Sequence, residues 1–313
     1  MRAVRIEAGA VRVVELPAPS GSGVRVRIRS AGICGSDLHM LGLGFPVAGT
    51  LGHEIAGLLD DDTPVAIEPI APCGRCEPCR EGHYNRCAGV PGVVIGVGLD
   101  GGMADEIRVP ERCLVPLPRG IEPRDGCVVE PLAVALHGLA ALELAPGSRA
   151  LVIGGGAIGL CAVAGAAATG ASVALEARHD AQRAAGEALG ARIAAGGDGY
   201  HAVIDAAGTA QSLESAVLAC RPGGTLVLLA TYWEGMQLPG FGLSAKEIRV
   251  VPATMYARRG PLREIEIAAA LLAARPEISR RLISHRFPLE AAAEAFRTAA
   301  DRRGGALKVV LEP

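Results

Sequence analysis

Apolar and polar residues alternate with a period of two through VRVVEL, residues 11–16, and again through VRVRIRSAGI, residues 24–33. That period marks strands with one buried face. PVAIEPI, residues 64–70, continues the habit, and Gly- and Pro-rich turns separate the runs, so Met1 to about Arg119 reads as a β-rich segment carrying functional loops. From about Pro131 to Met255 the pattern changes. SRALVIGGGAIGLCAVAGAAATGASVALEA, YHAVIDAAG and GGTLVLLATYW repeat strand, glycine turn and helix. Such repetition predicts a parallel sheet with helices on both faces. Beyond Tyr256, LREIEIAAALLAA and LEAAAEAFRTAA read as helices, and ALKVVLEP as a last strand able to rejoin the first domain. The prediction is an α/β chain of two domains, one from residues 1–131 with 256–313 and the other from residues 132–255. No internal repeat or low-complexity tail interrupts it.

Composition narrows the partners. A chain of 313 residues, 50% hydrophobic, can bury a large core. Its formal net charge of -2, with no long run of either sign, argues against nucleic acid and anionic membranes. The N-terminus, MRAVRIEAGAVRVVELP, has neither an apolar signal core nor a small-residue cleavage site. The most apolar later stretch, Arg149 to Leu175, is broken by six glycines and does not read as a membrane span. A cytoplasmic protein is expected. In that compartment nine cysteines argue for metal binding or catalysis rather than for disulfides. Cys113, Cys127, Cys161 and Cys220 stand isolated among apolar residues and read as small buried side chains.

In LVIGGGAIGL, Gly154, Gly156 and Gly159 fit G-x-G-x-x-G, with a strand before them and an Ala-rich helix opening at Ala157 and Ile158. Gly154 permits the tight turn, Gly156 lets a pyrophosphate approach the backbone, and Gly159 lets helix pack on strand. An acidic residue at the end of the next strand would take the ribose 2′-hydroxyl of NAD. Counting through VALEARHDAQR puts Ala177 there, followed by Arg178 and His179. A small residue followed by arginine accepts a 2′-phosphate, so NADP is favoured. Glu176 is one residue away, and a slip of one position would restore NAD.

The other chemical signals fall in the first half. GICGSDLH (Gly32–His39), GHE (Gly52–Glu54) and VVEPLAVALHG (Val128–Gly138) bring Cys34, His53, Glu54 and Glu130. Three such donors and an open position make a catalytic zinc site, provided folding joins the segments. CGRCEPCREGHYNRC adds Cys73, Cys76, Cys79 and Cys87 within fifteen residues.

Taken in order, these motifs resemble those of the zinc-dependent medium-chain dehydrogenases/reductases, the superfamily of alcohol, sorbitol and threonine dehydrogenases, and the likeness extends over nearly the whole chain. It implies a GroES-like β-rich catalytic domain, a Rossmann doubly wound parallel sheet and an active site in the cleft between them. It also implies that Cys34 and His53 bind the catalytic zinc with Glu54, as in the polyol branch, and with Glu130 directly or through water. Cys73, Cys76, Cys79 and Cys87 match the structural-zinc lobe, a closed set of four thiolates with no vacancy for substrate. Ser36 and His39 match the proton relay, and Asp37 orients a ligand imidazole or braces the loop. The chemistry implied is hydride transfer between NAD(P) and a small alcohol or ketone, in a homodimer or homotetramer with its interface near Ile248 to Met255.

Departures from the family point to the substrate. The stretch MLGLGFPVAGTL, residues 40–51, is short, and Met255, followed by Tyr256, stands where sorbitol dehydrogenases carry arginine. With Phe45, Tyr232 and Trp233, Met255 can supply an apolar wall, which favours a less polar secondary alcohol or ketone. The rival enzyme is an NAD-linked polyol or amino-alcohol dehydrogenase, and the rival outside catalysis is a cofactor-sensing zinc protein. A zinc-independent reductase would lack Cys34, His53 and the cysteine lobe, and a zinc-ribbon nucleic-acid binder would need a basic face.

Overall fold

The computed structural model describes every residue except Pro46, Ala48 and Glu234, so the short 40–51 stretch lies partly outside the described residues. The chain forms two compact units, Met1–Glu130 with Tyr256–Pro313 and, between these segments, Pro131–Met255.

The first unit opens with a hairpin, β1 (Arg2–Glu7) and β2 (Ala10–Glu15), that turns through Ala8 and Gly9 at φ 48° and 75°. Two successive positive φ values are what a two-residue type I′ turn requires. Strands β3 (Val24–Gly32), β4 (Glu54–Leu58), β5 (Pro64–Ile67), β6 (Glu106–Val109) and β7 (Leu114–Pro116) form antiparallel pairs β3–β4, β4–β5, β5–β7 and β3–β6. Helix α1 (Gly35–Gly42) follows β3, and the single turn α2 (Glu77–Arg80) lies in the cysteine loop. Helix α3 (Val129–Leu139) carries the chain into the second unit.

There, β8 (Arg149–Ile153), α4 (Ala157–Ala168), β9 (Ser172–Glu176), α5 (Asp180–Ala188), β10 (Ala191–Ile193), β11 (Tyr200–Asp205), α6 (Ala210–Ala219), β12 (Cys220–Leu228), α7 (Gly240–Lys246) and β13 (Arg249–Pro252) follow one another. The six strands are all parallel, in the order β10-β9-β8-β11-β12-β13. This is the doubly wound order of a dinucleotide fold, whose direction reverses between β8 and β11. Helix α4 is apolar all round because it is buried all along, from Gly159 to Ala166. β12 stops at Leu228 rather than running on to Trp233, because the N–H groups of Leu229 and Ala230 both turn back to the carbonyl of Asp205.

Returning to the first unit, the chain forms a short hairpin, β14 (Arg258–Arg259) and β15 (Leu262–Arg263), then α8 (Glu264–Ala274), α9 (Glu277–Leu282), β16 (Ile283–Pro288), α10 (Ala292–Ala300) and β17 (Lys308–Glu312). β17 inserts between β16 and β3, so the last strand of the chain completes the sheet that β3 begins. Val26, Ile28, Ile55, Ile67, Met103, Phe296 and Leu311 form its core. No helix of the described residues is long and apolar enough to cross a membrane.

Candidate active site

β3 and β4 are antiparallel neighbours with Gly32 opposite Glu54, so the residues leaving one strand meet those entering the other. Cys34 sulfur, a His53 ring nitrogen and a Glu54 carboxylate oxygen thereby lie within 4.8 Å of one another. Gly32 makes room for this arrangement: a side-chain carbon there would stand 2.0 Å from Glu54 Oε2.

The start of α1 fixes Cys34. Asp37 is fully buried and its Oδ2 accepts the Cys34 N–H at 2.9 Å, which caps the helix through a side chain three residues on. The other oxygen, Oδ1, lies 3.6 Å from His53 Nδ1, and neither of these two atoms has a hydrogen-bond partner among the described residues. Asp37 thus braces the cysteine and faces the histidine. Burial alone would disfavour a charged imidazole at His53, but Asp37 and Cys34 outweigh it and hold the ring's pKa well above its ordinary value. This buried ring, a thiol and a carboxylate have the chemistry of a zinc donor set. Ser36 Oγ lies 3.5 Å from His53 Nε2, and exposed His39 follows on the same face of α1, three residues later.

Glu54 is shared. Both its oxygens accept from Lys308 Nζ at 2.6 Å, and Nζ also donates to the carbonyl of Ile33 at 3.1 Å. Burial would neutralise Lys308, but Glu54 overrides it and keeps the ammonium charged. The sequence reading missed Lys308, whose signal is a single charge inside the apolar strand ALKVVL. Glu130, on the first turn of α3, stands outside the set of three donors but is buried near it. Burial pushes its carboxyl up to about 7, against the pull of His53 and with the repulsion of Glu54.

The four lobe cysteines also converge, with all their sulfurs within 4.8 Å of one another. Cys76 and Cys79 sulfurs are 3.3 Å apart and those of Cys73 and Cys79 4.0 Å. Those values bracket the edge of about 3.8 Å that a tetrahedron of Zn–S bonds near 2.3 Å requires. The N–H groups of Cys73 and Gly89 point at the Cys87 sulfur from 3.5 and 3.4 Å, and backbone N–H groups of Arg75 and Cys76 lower the Cys73 thiol's pKa. At Cys73 this favours thiolate, whereas burial pushes the Cys79 thiol up to about 12.

In the second unit, Gly154 has φ 106°, and a side-chain carbon on Gly159 would stand 1.8 Å from the Gly154 carbonyl oxygen. Gly156 caps α4 ahead of Ala157 and Ile158, with its carbonyl accepting the Leu160 N–H at 2.9 Å. β9 ends at Glu176, which pairs with Ile153, and Ala177 is the next residue. The Ala177 Cβ lies 2.9 Å from where one on Gly155 would be, so this methyl, rather than a carboxylate, faces the glycine turn. Arg178 is exposed and donates to Gln211 Oε1 at 3.2 Å, while half-buried His179 caps α5. Arg183, not singled out from sequence, donates to the carbonyls of Ala177 and Arg178 at 2.9 and 3.0 Å and so fixes the loop. Tyr232 is committed elsewhere than to an apolar wall: its hydroxyl donates to buried Asp205 Oδ2 at 2.7 Å.

Comparison with known proteins agrees with this geometry. The alcohol dehydrogenase GroES-like domain family matches residues 20–119 and the zinc-binding dehydrogenase family residues 157–273. The chain is 31% identical to L-galactonate-5-dehydrogenase of Escherichia coli K12 over 311 residues, covering 90% of this chain and 89% of that protein. It is 32% identical to galactitol 1-phosphate 5-dehydrogenase of the same organism over 342 residues, covering 97% of each. The NADP-bound structure of a chain described as a zinc-binding dehydrogenase from Sinorhizobium meliloti 1021 superposes with a TM-score of 0.87 at 30% identity, covering 100% of this chain and 99% of that one.

Proposed function

Because the chain belongs to the zinc-dependent medium-chain dehydrogenases/reductases that act on alcohols and polyols, we propose that it transfers a hydride between NADP and a small secondary alcohol or its ketone. The observation that carries this reading is the convergence of Cys34, His53 and Glu54, with Asp37 bracing the first and facing the second. In it, Cys34 and His53 hold the catalytic zinc, Glu54 and Glu130 stand as additional carboxylates, and Cys73, Cys76, Cys79 and Cys87 hold a structural zinc. When bound, the zinc supplies Lewis-acid polarisation of the substrate oxygen and the dinucleotide supplies the hydride site.

The chain's own residues do the rest. Ser36, within reach of the His53 ring, takes the hydroxyl proton and His39 passes it to water. Lys308 donates to both oxygens of Glu54 and so fixes the orientation of that carboxylate beside Cys34 and His53. The turn from Gly154 to Gly159 and the N-terminus of α4 receive the pyrophosphate, while Ala177, Arg178 and His179 receive the 2′-phosphate. We place the enzyme in the cytoplasm, as a homodimer or homotetramer.

A second reading, NAD-linked oxidation of a polyol or amino alcohol, is favoured by Glu176, the exposed residue at the end of β9. The curated relatives support the polyol part: galactonate and galactitol 1-phosphate are polyols, and each also carries an anionic group, a carboxylate or a phosphate. The test is metal analysis of the purified protein together with NADPH- and NADH-linked assays on a panel of secondary alcohols and ketones. Two zinc ions per chain and turnover that disappears in Cys34→Ala support the proposal. Zinc and cofactor binding without turnover of any panel member would favour the cofactor-sensing alternative.

A further inference from the structure

The C-terminal ends of four parallel strands stand in one row. Glu176 of β9 pairs with Ile153 of β8, Ile153 with Asp205 of β11, and Asp205 with Leu228 of β12. The strand order puts β9 on one side of β8, and β11 and β12 on the other. A dinucleotide at such an edge lies across the reversal of strand order, one nucleotide to each side. Ala177, Arg178 and His179 follow β9 and take the adenosine side in the proposed function, so the nicotinamide side falls to the loops that follow β11 and β12.

Those two loops form one layer with the glycine turn. A side-chain carbon on Gly154 would stand 2.9 Å from the Ala207 nitrogen and 3.0 Å from the Ala206 carbonyl carbon. One on Gly208, whose φ is 70°, would stand 2.8 Å from the Ala230 Cβ. Asp205 holds the layer together. Fully buried, it accepts at Oδ1 from the N–H groups of Ala207 and Gly208 at 2.9 and 3.2 Å, and at Oδ2 from the hydroxyls of Ser212 at 2.8 Å and Tyr232 at 2.7 Å. Those four donors offset its burial. Three of them belong to the β11 loop and α6, whereas Tyr232 reaches back from beyond β12. There, residues 229–239 form no strand or helix among those described. The Asp205 carbonyl holds Leu229 and Ala230, and its carboxylate extends that hold to Tyr232. A loop fixed in its bound shape beforehand spares the ligand the entropy of ordering it.

We propose that Tyr232 is a positioning residue for the dinucleotide, its hydroxyl clamping the loop after β12 to Asp205 so that the loop is preformed for the nicotinamide. This deepens, and rests on, the dinucleotide-binding part of the proposed function. The adenosine side, across β8, does not depend on the clamp.

The test is calorimetric titration of the zinc-loaded protein with NADPH and with 2′-phospho-ADP-ribose, which lacks only the nicotinamide. NADH and ADP-ribose are titrated in parallel, so the ratio is read in whichever series the wild type binds. Tyr232→Phe is expected to weaken the nicotinamide-bearing ligand about fivefold and to leave its partner within about twofold. Ser212→Ala, which removes a donor to the same carboxylate from α6 rather than from the loop, should lower the melting temperature and leave the ratio unchanged. Hydrogen exchange of the unliganded proteins gives a second readout: residues 229–233 should exchange faster in Tyr232→Phe than in the wild type and regain protection when the dinucleotide binds. Equal losses for both ligands in Tyr232→Phe, no loss for either, unchanged exchange, or the same change of ratio in Ser212→Ala overturns the clamp alone. A wild type that binds neither NADPH nor NADH overturns the cofactor reading and the clamp with it.

Discussion

In the proposed NADP reading, cofactor choice turns on one exposed side chain, Arg178. Ala177 presents a methyl to the glycine turn, and Arg178 is held beside it by Gln211. Charge-assisted hydrogen bonds contribute roughly 1.5–3 kcal/mol each, about tenfold to a hundredfold in affinity. Arg178→Ala is therefore expected to weaken NADPH binding by that factor and to leave NADH binding within twofold, as read by fluorescence titration. Equal loss for both dinucleotides would instead point to Glu176 as the ribose ligand and to NAD. Asp105 supports a second expectation at this scale. Burial raises its pKa, but hydrogen bonds from the side chain and the N–H of Arg2 outweigh that and leave it below its ordinary value. A depressed carboxylate stabilises the fold fully above its unfolded pKa of about 3.9, and that contribution disappears as pH falls through the lower folded value. Urea melts between pH 5 and 2, both round figures of about a unit's precision, should show wild type losing more stability than Asp105→Asn. Parallel acid limbs would mean that the ion pair contributes nothing.

The cysteine loop is anchored by more than its four sulfurs. Tyr84, near its end, donates its hydroxyl to Glu68, which also accepts from Arg263 at 3.0 Å, and the N–H of Arg258 donates to the carbonyl of Gly82 at 3.2 Å. The loop is thus fastened to β5's continuation and to the β14–β15 hairpin. Tyr84→Phe leaves a buried carboxylate one donor short, a cost of about 1–3 kcal/mol, and should lower the melting temperature by several degrees while zinc content is unchanged. Cys76→Ser should do the opposite in kind, removing about one zinc per chain and opening residues 73–87 to protease. If Cys76→Ser keeps full zinc content, the four sulfurs do not form the metal site. These elements also show what the sequence made legible. Period-two alternation located β2, β3 and β5, and the glycine spacing located the β8–α4 turn, because both signals are local. The donors Cys34, His53 and Glu54 were readable as types, and their meeting depended on the β3–β4 register. The Lys308–Glu54 pair spans 254 residues, and Arg302 reaches Gly35 across a similar distance, so no local pattern announces either.

At the scale of the whole chain, the second unit is continuous and the first is not. Pro131–Met255 contains all six strands of its sheet, and every consecutive pair except β10 and β11 lies side by side in it. The first unit waits for residues 308–312, because β17 lies inside its sheet between β16 and β3 and brings Lys308 to Glu54. Non-local pairing of this kind is slow and cooperative, since the loop entropy is lost before the contacts form. A chain truncated after Asp301 should therefore retain a folded second unit and lose the first. The buried Glu54 would then have no cation, and β3 would have a bare edge along Ala31 and Gly32. The measurement is a proton–nitrogen correlation spectrum of the truncated chain beside that of residues 129–255 alone. Shared dispersed peaks, shifting on addition of 2′-phospho-ADP-ribose, with the remaining resonances collapsed, are the expected outcome. Dispersed first-unit resonances in the truncated chain would show that β3 to β7 and the hairpin fold without the last strand. The Glu54–Lys308 pair would then serve the site rather than the fold.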